Sequence, residues 1–432
     1  YFLHRLLLFT NKANFTYFYI DLIVDFLPIH GILKLQSFNC IKGEFTMAAE
    51  IKNINKTIDF GKELGKIKPM HAVGAGPVQG NTGGTDISNY YRSMNIPYSR
   101  LHDTEYPYGS DLFVDIHCIF PDFDADPNDP ASYDFVLTDE YIKVTEFAGT
   151  RTFYRLGSKI EHWSKKYNTL PPKDFKKWAI ICEHIIRHYT EGWAEGFNCD
   201  IEYWEIWNEP DLMADDAEHK TTWGGTKAQF FEFYRIVSKH LKKCFPHLKI
   251  GGPAVACRKG WAKDFIETID APLDFFSWHR YADTPRQFLD EIYEKRQYLD
   301  ENGYNNTESI LNEWNYVCGW TGDYWIESLK TMKNLKGSSF IAGTMCMCQY
   351  APLDMLMYYD FRPTVFCAAF DAYTLEPLKG YYSFLWFTHL MDLDEIVCED
   401  KHDNLYTLCG VNGDGKATAI ITHFNENDEA PD

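Results

Sequence analysis

Two apolar runs that each end in Asn-Glu constrain this chain more than any other feature. The first is Tyr203-Trp204-Glu205-Ile206-Trp207-Asn208-Glu209-Pro210-Asp211. The second is Leu311-Asn312-Glu313-Trp314-Asn315, whose Glu follows 104 residues later (313 − 209). Each run reads as a buried strand. An ionised Glu at the edge of a core must be solvated, paired or used. A βα unit of a (β/α)8 barrel takes roughly 30–40 residues, so the spacing is about three units. The expected frame is a TIM barrel with Glu209 ending the fourth strand and Glu313 ending the seventh, both at the C-terminal rim.

Strand and helix patterns alternate from about residue 67, as an α/β barrel requires. Residues 69–73, 96–101, 152–156, 201–207, 249–252, 275–278, 309–312 and 339–347 read as its eight strands. Phe175, Trp178, Ile181, Cys182, Ile185, Ile186 and Tyr189 fall at helical spacing over 174–193, and Phe230, Phe231, Tyr234, Val237 and Leu241 do so over 227–244. The acidic segment 113–135 reads as a long rim loop of the kind that builds a substrate cleft. From about Arg362 the pattern turns to short antiparallel strands at 396–399, 405–411 and 417–423, with an Asn412-Gly413-Asp414-Gly415 turn. The expected division is a barrel over 47–356 and an incomplete β-sandwich over 357–432.

Residues 1–46 contain no Met and pattern poorly. Their apolar stretches are broken by Arg5, Lys12, Asp21 and Asp25, which does not make a signal peptide. Lys42-Gly43-Glu44 is codable by a purine run like a bacterial ribosome-binding site, just ahead of Met47. The segment therefore reads as a non-native or upstream-translated extension, with translation starting at Met47. The other end stops just after what reads as a third strand.

The formal charge of −20 argues against nucleic acid or an anionic membrane as partner. No uncharged run of 18 or more apolar residues suggests a membrane span. The 12 cysteines are scattered, many inside apolar runs, with no metal-ligand spacing. They read as reduced core residues of a cytoplasmic bacterial protein. Aromatic content is high at 16%, mostly core, although sugar sites also use aromatic faces. The turn at Gly74-x-Gly76 and Gly80–Gly84 lacks a phosphate-loop pattern, and Asp122, Asp124, Asp126 and Asp129 lack calcium-loop spacing.

Two carboxylates are what glycosidic bond cleavage requires: one protonates the departing oxygen, and the other attacks the anomeric carbon from the opposite face. Trp207-Asn208-Glu209-Pro210 with a second strand-end Glu resembles the clan of retaining glycoside hydrolases built on TIM barrels. Ile250-Gly251-Gly252-Pro253, Phe275-Phe276-Ser277-Trp278-His279-Arg280-Tyr281 and Leu311-Asn312-Glu313-Trp314-Asn315 complete an ordered resemblance to glycoside hydrolase family 39. That family contains β-xylosidases and α-L-iduronidases, and the likeness runs from about His71 to Tyr382.

The resemblance implies Glu209 as general acid/base and Glu313 as nucleophile, with Glu313 ionised and Glu209 protonated at the start of the cycle. It implies that Asn208, His102, His279 and Tyr281 contact the sugar or the nucleophile, with the Tyr281 hydroxyl orienting Glu313. Glu205 reads as a satisfied buried carboxylate. No cofactor or metal is expected. The expected activity is that of a retaining, exo-acting β-xylosidase on a glycoside or oligosaccharide. The same mechanism on an arabinoside, galactoside or uronide, and a non-catalytic carbohydrate-binding barrel, stand as alternatives. Iduronidase-like members carry a Lys two residues after the His of the sixth strand, where this chain has Tyr281. That counts against a uronide, although Arg280 and Arg286 are near in sequence.

Overall fold

Eight parallel strands close on themselves in sequence order in the computed structural model: β1 (Ala72–Gly74), β2 (Tyr98–Leu101), β3 (Arg151–Leu156), β4 (Tyr203–Ile206), β5 (Lys249–Val255), β6 (Phe275–Ala282), β7 (Glu308–Tyr316) and β8 (Met355–Tyr358). The structure describes residues 6–9, 18–25, 32–40, 56–77, 86–102, 104, 114–256, 258–398, 404–413 and 417–426. The Gly80–Gly84 turn lies outside them. The expected TIM barrel is present.

Outer helices form where local chemistry starts and stops them. Phe175–Glu191 begins at Asp174, whose carboxylate accepts from the amides of Lys176 and Lys177, and ends at left-handed Gly192. Lys227–Cys244 begins with a full capping box between Thr226 and Gln229. Both turn their apolar stripes inward.

Residues 339–347, expected as the eighth strand, are helical. They sit within Leu335–Tyr350, and the eighth strand is β8, further along the chain. The reason is burial on every side: all residues from Lys336 to Cys346 are buried. A helix wrapped by protein carries no polar stripe, so periodicity cannot tell it from a core strand. One side of this helix packs on the barrel and the other on a second sheet, where a Cβ on Gly343 would lie 2.9 Å from the Tyr406 ring.

That second sheet has seven strands, including Lys56–Lys66, Asp394–Cys398, Leu405–Val411 and Ala417–His423. Leu6–Phe9, Phe18–Asp25 and Ile32–Cys40 also pair in it, so it draws on both ends of the chain. All pairings are antiparallel except Leu6–Phe9 with Ala417–His423. It is consistent with the expected partial C-terminal β-sandwich. No described helix is long and apolar enough to cross a membrane, and the ten cysteines from Cys118 to Cys409 whose side chains are described are free.

The barrel interior is stratified. Its lower layer is a closed apolar cluster of Ala72, Tyr98, Phe153, Tyr203, Phe275, Ile310, Met355 and Met357. Side chains repeat every second residue along a strand, so the next inward layer holds Arg100, Arg155, Glu205, Ser277 and Asn312, all fully buried.

Candidate active site

Arg100, the inward residue of β2 above Tyr98, organises the upper layer. Its Nε donates to Glu205 Oε2 at 2.7 Å, one terminal nitrogen to Glu313 Oε1 at 2.9 Å, and the other to Asn208 Oδ1 at 2.6 Å. Burial opposes its charge, but Glu205 and Glu313 outweigh that and raise its pKa. Glu205 Oε1 accepts from Ser277 Oγ at 2.6 Å and Asn312 Nδ2 at 2.5 Å. Glu205 is thus a satisfied buried carboxylate, and it anchors Arg100.

The rim residues are delivered by departures from regular strand geometry. β4 stops at Ile206, after which Trp207 and Glu209 both adopt left-handed backbone, at φ +77° and +47°. Such conformations are sparsely populated for non-glycine residues and must be held by their surroundings. The Glu209 amide donates to Ala254 O at 2.9 Å, and its carbonyl accepts from Thr222 Oγ1 at 2.6 Å. Trp207 Nε1 donates to Thr222 O at 2.9 Å. Asp211 closes the turn by accepting from the amides of Ala256 and Arg258. Gly252 lets β5 come this near: it sits at φ +131°, and a Cβ there would lie 2.9 Å from Ile206 O.

On β7 the register against β6 shifts between Trp278 and His279, so Trp278 pairs with Leu311 and His279 with Glu313. The extra residue lets Asn312 and Glu313, neighbours in sequence, both reach the interior. Trp314 then resumes outward packing against Phe288 and Phe340.

These devices bring the expected residues together. His279 Nδ1 lies 2.9 Å from Glu209 Oε1 and 3.4 Å from Glu313 Oε2. The Tyr281 hydroxyl donates to Glu313 Oε2 at 2.8 Å. Asn208 has its Oδ1 on Arg100, while its buried Nδ2 has no hydrogen-bond partner among the described residues. His102, just beyond β2, accepts at Nδ1 from Arg155 Nε at 3.2 Å, and Arg155 is itself paired with Asp115 at 2.6 Å. A guanidinium has no acceptor, so this contact puts the His102 proton on Nε2.

Burial dominates the electrostatics. It pushes the Glu313 carboxyl up, with Glu209 adding to the rise and His279, Arg100 and the Tyr281 hydroxyl opposing it. It drives His279 down to about 4. It takes His102 well below the ordinary imidazole range, helped by Arg155 and Arg100. Both rings are neutral near pH 7.

Among the described residues, two sets of side chains have the composition of a metal site. Glu209, His279 and Glu313 bring donor atoms within 4.8 Å of one another, as do Glu183, His240 and Cys244 on the outer helices. In each, a guanidinium already bonds a carboxylate, Arg100 on Glu313 and Arg187 on Glu183. In the first set a neutral imidazole lies between the two carboxylates.

Arg100, Arg155, Ser277 and Asn312 were not singled out by sequence reasoning. A usable signal existed for Arg100: it shares parity with His102 on one short strand.

The model of glycosyl hydrolases family 39 matches residues 54–312, well over half of the chain. The chain is 27% identical over 245 residues to a β-xylosidase of Caldicellulosiruptor saccharolyticus, covering 52% of this chain and 46% of that protein. It is 26% identical over 191 residues to a β-xylosidase of Geobacillus stearothermophilus, covering 40% and 36%. The chain thus spans less than half the length of these two relatives. Among solved structures, a glucosidase from Croceicoccus marinus superposes with a TM-score of 0.63 at 24% identity, covering 82% of this chain and 74% of that one. Barrel, ordered rim motifs and family match together lead to one conclusion: the chain belongs to glycosyl hydrolases family 39.

Proposed function

We propose that this protein is a retaining, exo-acting O-glycoside hydrolase that releases β-linked xylose through a covalent glycosyl-enzyme. The observation that carries the mechanism is the placement of Glu209 and Glu313 on either side of His279, with carboxylate oxygens within 4.8 Å. Retaining enzymes hold their carboxyl groups about 5–5.5 Å apart, against roughly 6.5–9.5 Å where a water must fit between carboxylate and anomeric carbon. The spacing here supports direct attack.

In this mechanism Glu313 attacks the anomeric carbon as a carboxylate, braced by Arg100 on one oxygen and Tyr281 on the other. Glu209 donates its proton to the departing oxygen, then takes one from water as the ester is hydrolysed. Neutral His279 suits both states of Glu209. Its Nδ1 accepts from the protonated acid and, in the other tautomer, donates to the carboxylate. Asn208 Nδ2 and His102 Nε2 supply donors for sugar hydroxyls.

Xylose as the glycone rests on the similarity to β-xylosidases and on Tyr281 standing where a uronide-binding member carries Lys. A panel of aryl glycosides differing only in the sugar tests it, with β-xyloside expected to be turned over fastest. The anomer first released from that substrate, read by NMR, should have retained configuration. An inverted product refutes the mechanism, and a faster substrate in the panel refutes the glycone.

We further propose a cytoplasmic location, supported by the free cysteines, and a boundary between barrel and sandwich near residue 356.

A further inference from the structure

Three different donors converge on one point between the outer helices Phe175–Glu191 and Lys227–Cys244. His240 and Cys244 stand four residues apart, one turn along the same helix face. Glu183 comes from the neighbouring helix, which is docked through Trp178 and Phe175 on Phe233 at centroid distances of 4.7 and 5.3 Å. His240 Nε2 lies 2.6 Å from Glu183 Oε2 and 3.8 Å from Cys244 Sγ, and the three donor atoms all fall within 4.8 Å of one another. The Glu183 and His240 side chains are 16% and 31% exposed, so an ion can reach them from solvent. Cys244 is free. The sequence shows only the pair on one helix; packing of the two helices supplies the third donor.

A catalytic thiol is the other reading of such a trio, and the same geometry opposes it. A nucleophile relay needs the thiol on one imidazole nitrogen and the carboxylate on the other, whereas both meet Nε2 here. Burial, with Glu183 adding to it, also pushes the Cys244 thiol up, away from a reactive thiolate.

We propose that Glu183 Oε2, His240 Nε2 and Cys244 Sγ bind a divalent transition ion of the zinc class, with water in the fourth position, and so clip the two helices together. Thiolate, imidazole and carboxylate suit a borderline-soft ion, whereas magnesium and calcium take oxygen donors. Around tetrahedral zinc such donors stand roughly 3.3–3.6 Å apart, so each atom here has to move by about 1 Å or less. Arg187 prepares the site and does not block it. It donates Nε and one terminal nitrogen to Glu183 Oε1, at 2.9 and 2.8 Å, and leaves Oε2 to the imidazole. That brace fixes the carboxylate as outer partners of metal ligands do. Arg187 also pairs with Glu191, so its charge is already matched. On binding, the thiol proton goes to solvent and the ring proton that faces Glu183 moves to Nδ1. The carboxylate and the thiolate then balance the two charges of the ion.

The test titrates the full chain, reduced and free of chelator, with Co²⁺ alone. A thiolate-to-cobalt charge-transfer band should rise in the near ultraviolet and saturate. Zn²⁺ in slight excess should bleach it, because zinc binds such donors more tightly than cobalt. Cys244→Ser should abolish the band, and His240→Gln should weaken cobalt binding at least about tenfold, the low end of what losing even an outer partner costs. Zinc at about a hundredfold excess over its Kd should raise the wild-type Tm by roughly 3 °C, and that of Cys244→Ser by less than about 1 °C. No band by about 1 mM Co²⁺, a band that survives in Cys244→Ser, or equal zinc effects on the Tm of both proteins would each overturn the site. A variant whose circular dichroism departs from wild type is set aside and the other decides. The wild-type band and its bleaching by zinc stand or fall without either.

Discussion

The lower and upper layers of the barrel interior are built on the same strands, two residues apart, and do opposite work. The lower layer is aromatic, with Phe153, Tyr203 and Phe275 packed at centroid distances of 5.1–5.5 Å. It needs only volume and shape. The upper layer replaces every one of these with a polar partner: Arg155 above Phe153, Glu205 above Tyr203, Ser277 above Phe275. Its charges have no water to fall back on, so each must be matched by another side chain. The lower layer should therefore control whether the barrel stands, and the upper one whether it works.

Substitution at the carboxylates gives the largest expected contrast. Glu313→Ala should cut turnover by about 10⁴-fold or more on every substrate, because no covalent intermediate can form. Glu209→Ala should hurt most with poor leaving groups and least with activated aryl ones, and added azide should rescue it as a glycosyl azide of retained configuration. Swapped behaviour of the two variants would reverse their roles.

Arg100→Met should damage both function and stability. It strands Glu205 in the interior, which costs about 3–5 kcal/mol by chemical denaturation. It also leaves a pH signature. The proposed mechanism needs ionised Glu313, whose pKa burial has raised, so kcat/KM should fall on acidification above the ordinary carboxylate range. Arg100 favours the charged form, so its loss should move that acid limb to higher pH. An unmoved limb would show that Arg100 does not act on Glu313.

Phe153→Ala should cost a comparable 3–5 kcal/mol through the cavity it leaves, while the folded fraction keeps its kcat within about twofold. A large kcat loss in that variant would break the division between layers.

The smallest effect on turnover is expected at Arg155→Met, which removes the cation on His102 Nδ1 and, by stranding buried Asp115, also costs stability. Imidazole ¹⁵N shifts should show His102 as the Nε2–H tautomer in wild type and as a mixed, more basic ring in the variant. Only a few-fold rise in KM should accompany this. Unchanged shifts would deny Arg155 that positioning role.

Much of this molecule was legible before folding. Helices with a wet face and a cap, such as those opened by Asp174 and Thr226, carry their own start signals and a 3.6-residue stripe. The runs carrying Asn208-Glu209 and Asn312-Glu313 announced themselves by setting carboxylates beside apolar residues, although β7 continues past Glu313 to Tyr316. The helix Leu335–Tyr350 was not legible, because it is covered on both sides and has no polar face to mark its period.

What the sequence alone determined, then, was the order of elements and which residues reach the rim. Those follow from local periodicity and from the cost of burying charge. Only the tertiary structure decided how the rim residues meet. Strict alternation would send either Asn312 or Glu313 outward, and the register shift against β6 admits both. Arg100 looked like one cation on a short strand until closure of the barrel put Glu205, Asn208 and Glu313 around it. Contacts between residues a hundred or more positions apart leave no trace in local pattern. They arise when the sheet closes, and closure is a property of the whole barrel.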